Sequence, residues 1–334
     1  MIAIAIDTMS GDFGPAVTVP ASVRALSFMP DISLVLVGDS DAIQAELAKL
    51  PAGDDNRVRI VATSQVVGMD EKPAVALRNR KDSSLYRAVQ LLQQGEVQAC
   101  VSAGNTGALL AVGCYLLRTF DGIDRPAICA AIPTLDGQAL LLDVGANVDV
   151  NAENLHQFAV MGSVLASAVL ERQNPRVGLL NIGVEDIKGN EQVKHAASLL
   201  QADRALNYTG FVEADKLFFS EVDVAVCDGF VGNVALKASE GAARLIRHKL
   251  RDSFSGGLLQ RLRGLLVEPM LRTFRAQVNP ARYNGASFLG LTATLVKSHG
   301  GADVDAFCHA IEVARFEAQS DIPRKIQAQL QHWL

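Results

Sequence analysis

Residues 223–240, DVAVCDGFVGNVALKASE, decide the fold class of this chain. The apolar run at 224–227 is typical of a buried strand, and the residues from 234 onward have the periodicity of a helix. Between them, residues 228–233 carry two glycines and predict a turn. Such a strand–turn–helix unit presents free backbone N–H groups and the positive end of a helix dipole. The unit is therefore either an anion-binding turn or an ordinary connection that holds no ligand.

The same alternation of strand and helix runs along most of the chain. Strand patterns at residues 2–6, 33–37 and 58–62 are separated by helical patterns. Alternating strands and helices predict a parallel sheet that is covered by helices. A turn at 135–137, between two further strand patterns, adds one antiparallel pair. We therefore predict an α/β fold, an αβα Rossmann-like sandwich around a mostly parallel sheet.

Composition excludes several classes of function. The chain has 334 residues, of which 49% are hydrophobic and 20% charged, and its net charge is −5. A general nucleic-acid binder would carry a basic surplus, which is absent from this sequence. The amino terminus lacks the basic region of a signal peptide, and no apolar stretch reaches the length of about 18 residues that spans a membrane. The five scattered cysteines without CxxC spacing indicate reduced residues in a cytosolic protein.

Polar turns follow several of the strand patterns. Because open parallel sheets bind ligands at the carboxyl ends of their strands, these turns predict a site. In SAGNTG, residues 102–107, small residues let a ligand approach the backbone, and the loop matches no nucleotide-binding fingerprint. Lys188 is either a surface charge or, beside a phosphate-sized ligand, a charge clamp. Further polar residues that we expect at the rim of the site are Asp7, Asp12, Asp143, Asn147 and Asn190.

After residue 240 the sequence no longer alternates between strand and helix patterns, and residues 254–278 are amphipathic. On a helix, Leu258, Leu262 and Leu265 share an apolar face that is bordered by arginines. Such a face suits either an anionic membrane surface or packing against a second copy of the chain. Both interpretations stay open.

Seven motifs spread over nearly the whole chain point to one family. They are VSAGNTGALL, GIDRPA, LLDVGANVD, MGSV, PRVGLLNIGVEDIKGNE, VCDGFVGNVALK and YNGASFLGL. Together they resemble the PlsX-type phosphate acyltransferases, which make acyl-phosphate from acyl-acyl-carrier-protein and inorganic phosphate early in bacterial phospholipid synthesis. The resemblance implies a homodimer with a fold similar to isocitrate and isopropylmalate dehydrogenases and to phosphotransacetylases. It also implies no metal, nucleotide or other cofactor. We predict one domain over residues 1–334, with a helical excursion at 240–280 that faces a membrane or a dimer partner.

The resemblance also implies roles for individual residues. Lys188 and Asn233 are the catalytic candidates. Three residues depart from the family pattern: Ser10 and Asn284, where a glycine is common, and Phe13, where a histidine is usual. The residues expected to bind substrate or phosphate are Ser102, Gly104, Asn105, Thr106, Asp228, Gly229 and Gly232.

Partners follow from the same resemblance and from charge. Carrier protein is acidic, so Arg78, Arg80 and Lys81 predict a docking surface, although such a cluster is commonly a solvated helix face. We expect a cytoplasmic protein attached peripherally to the inner face of the membrane, near a membrane glycerol-phosphate acyltransferase. The alternatives are a phosphotransacetylase acting on coenzyme A thioesters, a metal- and NAD-dependent dehydrogenase, and a non-catalytic scaffold.

Overall fold

The computed structural model describes residues 1–51, 53, 55–254 and 280–331. Within these ranges the strands form one sheet of 11 strands. In chain order the strands are β1 (Ile2–Asp7), β2 (Ile32–Gly38), β3 (Val58–Ala62), β4 (Ala99–Ser102), β5 (Ala127–Thr134), β6 (Gly137–Leu142), β7 (Arg176–Leu180), β8 (Asn207–Val212), β9 (Val224–Val226), β10 (Ala286–Leu289) and β11 (Thr294–Lys297). Across the sheet they lie in the order β3-β2-β1-β4-β11-β10-β5-β6-β9-β7-β8. The predicted α/β class with a mostly parallel sheet is confirmed.

The sheet consists of two parallel blocks that run in opposite directions. The first block contains β3, β2, β1, β4 and β11, and the second contains β6, β9, β7 and β8. Between the blocks, antiparallel pairing joins β11 to β10, β10 to β5, and β5 to β6. The carboxyl ends of the first block are here called the upper end, and those of the second block, which point the opposite way, are here called the lower end. Leu142, the last residue of β6, is in register with Cys129, Ser287, Val296 and Val101 in turn. The two sets of carboxyl ends therefore lie at nearly the same level along the strands.

Helices cover both faces of the sheet. On one face α1, α2 and α9 pack on the first block, and α6, α7 and α10 pack on the second. On the other face α4 and α5 cover the first block, and the beginning of α8 lies over the second. The helices are α1 (Pro15–Phe28), α2 (Ser40–Leu47), α3 (Pro73–Asn79), α4 (Ser84–Gln93), α5 (Thr106–Leu116), α6 (Ala152–Val169), α7 (Glu191–Ala202), α8 (Gly229–Phe254), α9 (Val304–Gln319) and α10 (Ile322–Leu330), with short 3-10 helices at Ala214–Phe218 and Pro280–Tyr283.

The prediction of a turn at residues 228–233 is wrong, because α8 begins at Gly229, almost directly after β9. Asp228 makes this short connection stable by capping the helix. Its Oδ1 accepts a hydrogen bond from the backbone N–H of Val231 at 2.8 Å. A capping carboxylate satisfies an N–H group that has no partner inside the helix. Residues 229–233 therefore form the first turns of α8.

The helical excursion predicted from residue 240 begins inside α8, which continues to Phe254. Leu258, Leu262 and Leu265, predicted to contact a membrane or a second copy, lie outside the described residues. Within the described ranges, no helix combines the length and the apolar character needed to cross a membrane.

Candidate functional site

A row of three polar side chains crosses the upper end of the sheet. Ser102 on β4 is paired in register with Asp7 on β1 and with Lys297 on β11. Neighbours in register on parallel strands point to the same face, which here is the face covered by α4 and α5. All three are buried, with exposed fractions of 1% for Asp7, 0% for Ser102 and 9% for Lys297.

Hydroxyl groups join this row to the loop at residues 102–106. Ser102 Oγ donates to Asp7 Oδ2 at 2.6 Å and accepts from the N–H of Gly104 at 3.0 Å. Ser10 Oγ donates to the carbonyl oxygen of Asp7 at 2.6 Å and accepts from the N–H of Ala103 at 2.9 Å. The serine that departs from the family pattern therefore holds the loop in this chain. Burial raises the pKa of Asp7, and the hydrogen bond from Ser102 is the largest effect that opposes that rise.

Asn105 has its side-chain hydrogen bonds taken up by protein groups. Its Oδ1 caps α5 by accepting from the N–H of Ala108 at 3.0 Å. Its Nδ2 donates to the carbonyl oxygens of Met69 and Glu71 at 2.8 and 3.0 Å. The side chain therefore positions the loop, and the groups left for a ligand are the first-turn N–H groups of α5 and the exposed Thr106.

Lys297 is a site residue that sequence reasoning missed. Its Nζ donates to the carbonyl oxygen of Ala103 at 3.3 Å and to that of Ser298. Burial lowers its pKa to about 8; the negative charges of Asp7 and Asp12 oppose this change, and the positive charge of Lys237 adds to it. The available signal was a lysine at the end of an otherwise apolar strand pattern, TLVK.

Asp143 organises a second cluster, at the lower end of the sheet. Its carboxylate is completely buried. Oδ1 accepts from the N–H groups of Ile128, Gly145 and Ala146 at 3.1, 3.1 and 2.9 Å, and Oδ2 accepts from the N–H and the Nδ2 of Asn147 at 2.7 and 2.9 Å. Burial raises the pKa of Asp143, and these hydrogen bonds oppose the rise. The carboxylate therefore fixes the loop that follows β6.

The beginning of α8 packs tightly against that loop. Gly229 N donates to the carbonyl oxygen of Asn147 at 2.7 Å. A Cβ at Gly232 would lie 1.9 Å from the carbonyl oxygen of Asp143, so only glycine fits there. The Cβ position of Gly145 lies 3.7 Å from Asn233 Cβ. The structure thus brings Asn233 together with the predicted lower-end residues.

Lys188 lies on an exposed loop after β7, also at the lower end. Its backbone N–H donates to the carbonyl oxygen of Glu185 at 2.9 Å. Among the described residues its ammonium has no hydrogen bond or ion pair. Asn190, which we predicted at the rim, caps α7 by accepting from the N–H of Val193 at 2.9 Å.

The lower-end residues approach the upper-end cluster from the neighbouring strands. Val144 and Ala146 of the Asp143 loop pack on the apolar cluster beneath α4 and α5. Lys237, one turn after Asn233 on α8, is close enough to Lys297 to lower its pKa. That SAGNTG, Lys188 and Asn233 line a common wall stays a prediction.

The basic cluster lies beside the upper end. Arg78 and Lys81 are exposed, whereas Arg80 pairs with Glu71 at 2.9 Å. The carbonyl oxygen of Glu71 also accepts the hydrogen bond from Asn105, which connects this segment to the 102–106 loop. A partner that binds to Arg78 and Lys81 would therefore lie next to the upper-end cluster.

Comparison with known proteins decides the family. The family model described as "Fatty acid synthesis protein" matches residues 2–325. A phosphate acyltransferase from Pseudomonas putida is 54% identical over 331 residues, covering 99% of this chain and 98% of the relative. The chain belongs to the PlsX-type phosphate acyltransferase family. Another phosphate acyltransferase, from Nitrosococcus oceani, is 52% identical over 333 residues and covers 100% of this chain and 98% of the relative.

Solved structures show that this phosphate acyltransferase family member shares its fold with phosphotransacetylases. A phosphotransacetylase from Streptococcus pyogenes superposes with a TM-score of 0.63 at 16% identity, covering 96% of this chain and 94% of that one. The EutD phosphotransacetylase from Staphylococcus aureus gives 0.62 at 14% identity, covering 95% and 94%. At such identities the likeness concerns the fold alone.

The close approach at Gly232 predicts that Gly232→Ala destabilises the chain by at least about 2 kcal/mol, because the methyl group would overlap the Asp143 carbonyl. Gly241→Ala is the matched control on the same helix, since a Cβ there meets nothing within 4 Å. The control should be neutral or slightly stabilising. Urea unfolding of both variants measures the effect; equal stabilities would show that the Gly229–Asn147 region tolerates a side chain.

Proposed function

We propose that this chain transfers a fatty acyl group from acyl-acyl-carrier-protein to inorganic phosphate, an early step of bacterial phospholipid synthesis. The main support is the 102–106 loop, which leads into the amino terminus of α5 beside a buried lysine. Free N–H groups at a helix amino terminus favour an anion of the size of phosphate. Membership of the phosphate acyltransferase family supports the same reaction.

The reaction needs little general acid–base catalysis from the protein. A phosphate oxygen attacks the thioester carbonyl carbon, the carbon–sulfur bond breaks, and the carrier leaves as a thiol after taking up a proton. Phosphate is already anionic at neutral pH, so it needs orientation more than deprotonation. Negative charge builds on the thioester oxygen, and positioned donors lower the barrier by stabilising it. No step calls for a cofactor.

Lys188 and Asn233 are the residues that we propose for the thioester side of this reaction. Lys188 supplies positive charge and Asn233 an amide donor. We also propose that the chain acts as a homodimer. Highly exposed apolar side chains on the Lys188 loop favour such a contact, with exposed fractions of 78% for Ile182 and 81% for Ile187.

The test of the function is phosphate-dependent consumption of purified acyl-acyl-carrier-protein, measured beside the coenzyme A thioester. We expect turnover of the carrier thioester and a loss of at least about a hundredfold in Lys188→Ala, the scale of removing one oxyanion donor. Lys194→Ala, on the neighbouring α7, is the matched control and should stay within a few-fold. Ile187→Glu should lose activity together with dimer mass in light scattering.

Other outcomes would point elsewhere. Turnover of only the coenzyme A thioester would favour a phosphotransacetylase, and turnover of neither thioester would contradict acyl transfer. Activity retained by Lys188→Ala would remove that residue from the mechanism while leaving the proposed reaction intact.

We propose that the acidic carrier docks on Arg78 and Lys81. These charges are exposed, whereas the ion pair of Arg80 with Glu71 leaves Arg80 less available. Complementary charge across an interface speeds association and makes it sensitive to salt.

Neutralising the docking charges, as Arg78→Gln with Lys81→Gln, should raise the KM for carrier thioester and flatten its dependence on salt. Arg80→Gln should have a smaller effect. Arg324→Gln with Lys325→Gln removes two exposed charges from α10 on the other face and serves as the control. If the α10 pair changed the KM as much as the docking pair, general charge rather than this surface would be responsible.

We propose peripheral attachment to the cytoplasmic face of the membrane, where a membrane glycerol-phosphate acyltransferase would take up the labile acyl-phosphate. Support comes from the amphipathic sequence at 254–278 and from Leu245 and Ile246 on α8, whose exposed fractions are 59% and 56%. Flotation with anionic vesicles should carry the wild-type chain upward and leave Leu258→Glu behind. Equal flotation of the two proteins would refute the membrane contact.

A further inference from the structure

Lys297 is buried without a carboxylate partner. Within the described part of the chain its ammonium takes part in no ion pair and donates only to the carbonyl oxygens of Ala103 and Ser298. An ammonium has three protons to donate, so one lacks an acceptor among these residues. Burying an unpaired charge destabilises a folded protein, and an apolar side chain in the same place would be less destabilising. A stabilising role therefore does not account for this lysine.

The position of Lys297 fits the binding of an anion. Its register neighbour Ser102 begins the 102–106 loop, and Ala103, whose carbonyl it contacts, belongs to that loop. The loop ends at α5, where the N–H groups of Thr106 and Gly107 have no acceptor inside the helix. Gly107 is held close to Pro73, with its Cβ position 2.9 Å from Pro73 Cγ, so the turn has a defined shape. An ammonium and helix amides on one loop make a site for a small oxyanion.

A second buried polar group at the same place also lacks a partner. Among the described residues Asp7 Oδ1 has no hydrogen-bond partner, although Asp7 Oδ2 is bonded to Ser102. Buried polar atoms of folded proteins are almost always satisfied by protein or by a bound species. A carboxylate oxygen needs a donor, so a bound phosphate would meet Asp7 Oδ1 with a protonated oxygen. The upper-end cluster is thus incomplete, whereas the Asp143 carboxylate at the lower end is fully bonded by the protein.

We propose that Lys297 is the cation that binds the phosphate substrate at the upper end of the sheet, together with the first-turn N–H groups of α5. The assignment rests on the proposed function, because it names the residue that receives phosphate in that reaction. It assigns the binding of phosphate to Lys297 and leaves Lys188 to act on the thioester.

The charges around Lys297 make this binding dependent on pH. Burial lowers the pKa of Lys297 to about 8, the charge of Lys237 on α8 lowers it further, and Asp7 and Asp12 raise it. The pKa of His299 is also lowered, by burial and by Lys237, which favours its neutral form. Lys297 therefore carries its proton below about pH 8 and loses it above. Affinity for phosphate should fall as the pH rises through that value.

The experiment compares the wild-type chain with Lys297→Gln and Lys297→Arg across pH 6.5–9.5, a span of about 1.5 pH units on each side of the pKa. We expect Lys297→Gln to raise the KM for phosphate by on the order of a hundredfold while the KM for carrier thioester stays within a few-fold. Lys297→Arg should recover part of the affinity and abolish the rise of the phosphate KM near pH 8, because arginine stays charged. Protection from thermal unfolding by inorganic phosphate reports binding without turnover.

Lys237→Gln is the matched control, since this lysine is exposed and pairs with Glu240 at 2.9 Å. It should leave the phosphate KM at pH 7 nearly unchanged. The pH at which this KM begins to rise should become higher, because Lys237 lowers the pKa of Lys297. If Lys297→Gln does not fold, the pH dependence of the phosphate KM in Lys297→Arg, compared with wild type, still tests the assignment.

Unchanged phosphate KM, pH profile and thermal protection in the Lys297 variants would overturn the assignment. If the wild type consumes acyl-acyl-carrier-protein with phosphate and the Lys297 variants do so equally well, only this inference fails. If phosphate protects the wild type through Lys297 but no acyl transfer occurs, the proposed function fails and the phosphate site stands.

Discussion

The buried carboxylate of Asp143 is the interaction on which the centre of this fold depends. It stands where β6 leaves the sheet, and five N–H donors from the neighbouring backbone and from Asn147 surround it. Hydrogen bonds to a charged acceptor offset the cost of removing a carboxylate from water. The loop held in this way forms the surface on which α8 begins, and Gly232 fits against the Asp143 carbonyl.

The upper end of the sheet uses an aspartate in the same position with a different outcome. Asp7, at the end of β1, holds the 102–106 loop through Ser102 and Ser10. In the described part of the chain, one of its oxygens and one proton of Lys297 have no hydrogen-bond partner. A fully bonded carboxylate indicates a structural task, and an incompletely bonded cluster indicates a place for a ligand. This contrast separates two similar polar turns, one structural and one suited to binding.

Local patterns in the sequence predicted many of the strands. The strand at Val58–Ala62, for example, follows from periodicity. The strand at Ala286–Leu289 was missed, because its four residues lie within a motif rich in glycine and asparagine. The turn at 228–233 was misjudged because Asp228 caps a helix directly. Lys297 was missed because a single lysine at a strand end has no local signature of burial.

The sequence by itself determined the class of fold and the family, since alternating strands and helices and seven motifs suffice for both. It also determined which turns are polar and which residues carry charge. Only the tertiary structure decided where these residues meet. The direction of a strand and its neighbours depend on pairing between residues far apart in the chain, and no local pattern encodes that pairing. The reversal through β10 and β5 therefore turns the carboxyl ends of the two blocks in opposite directions, and the alignment of β1, β4 and β11 places Lys297 beside Ser102.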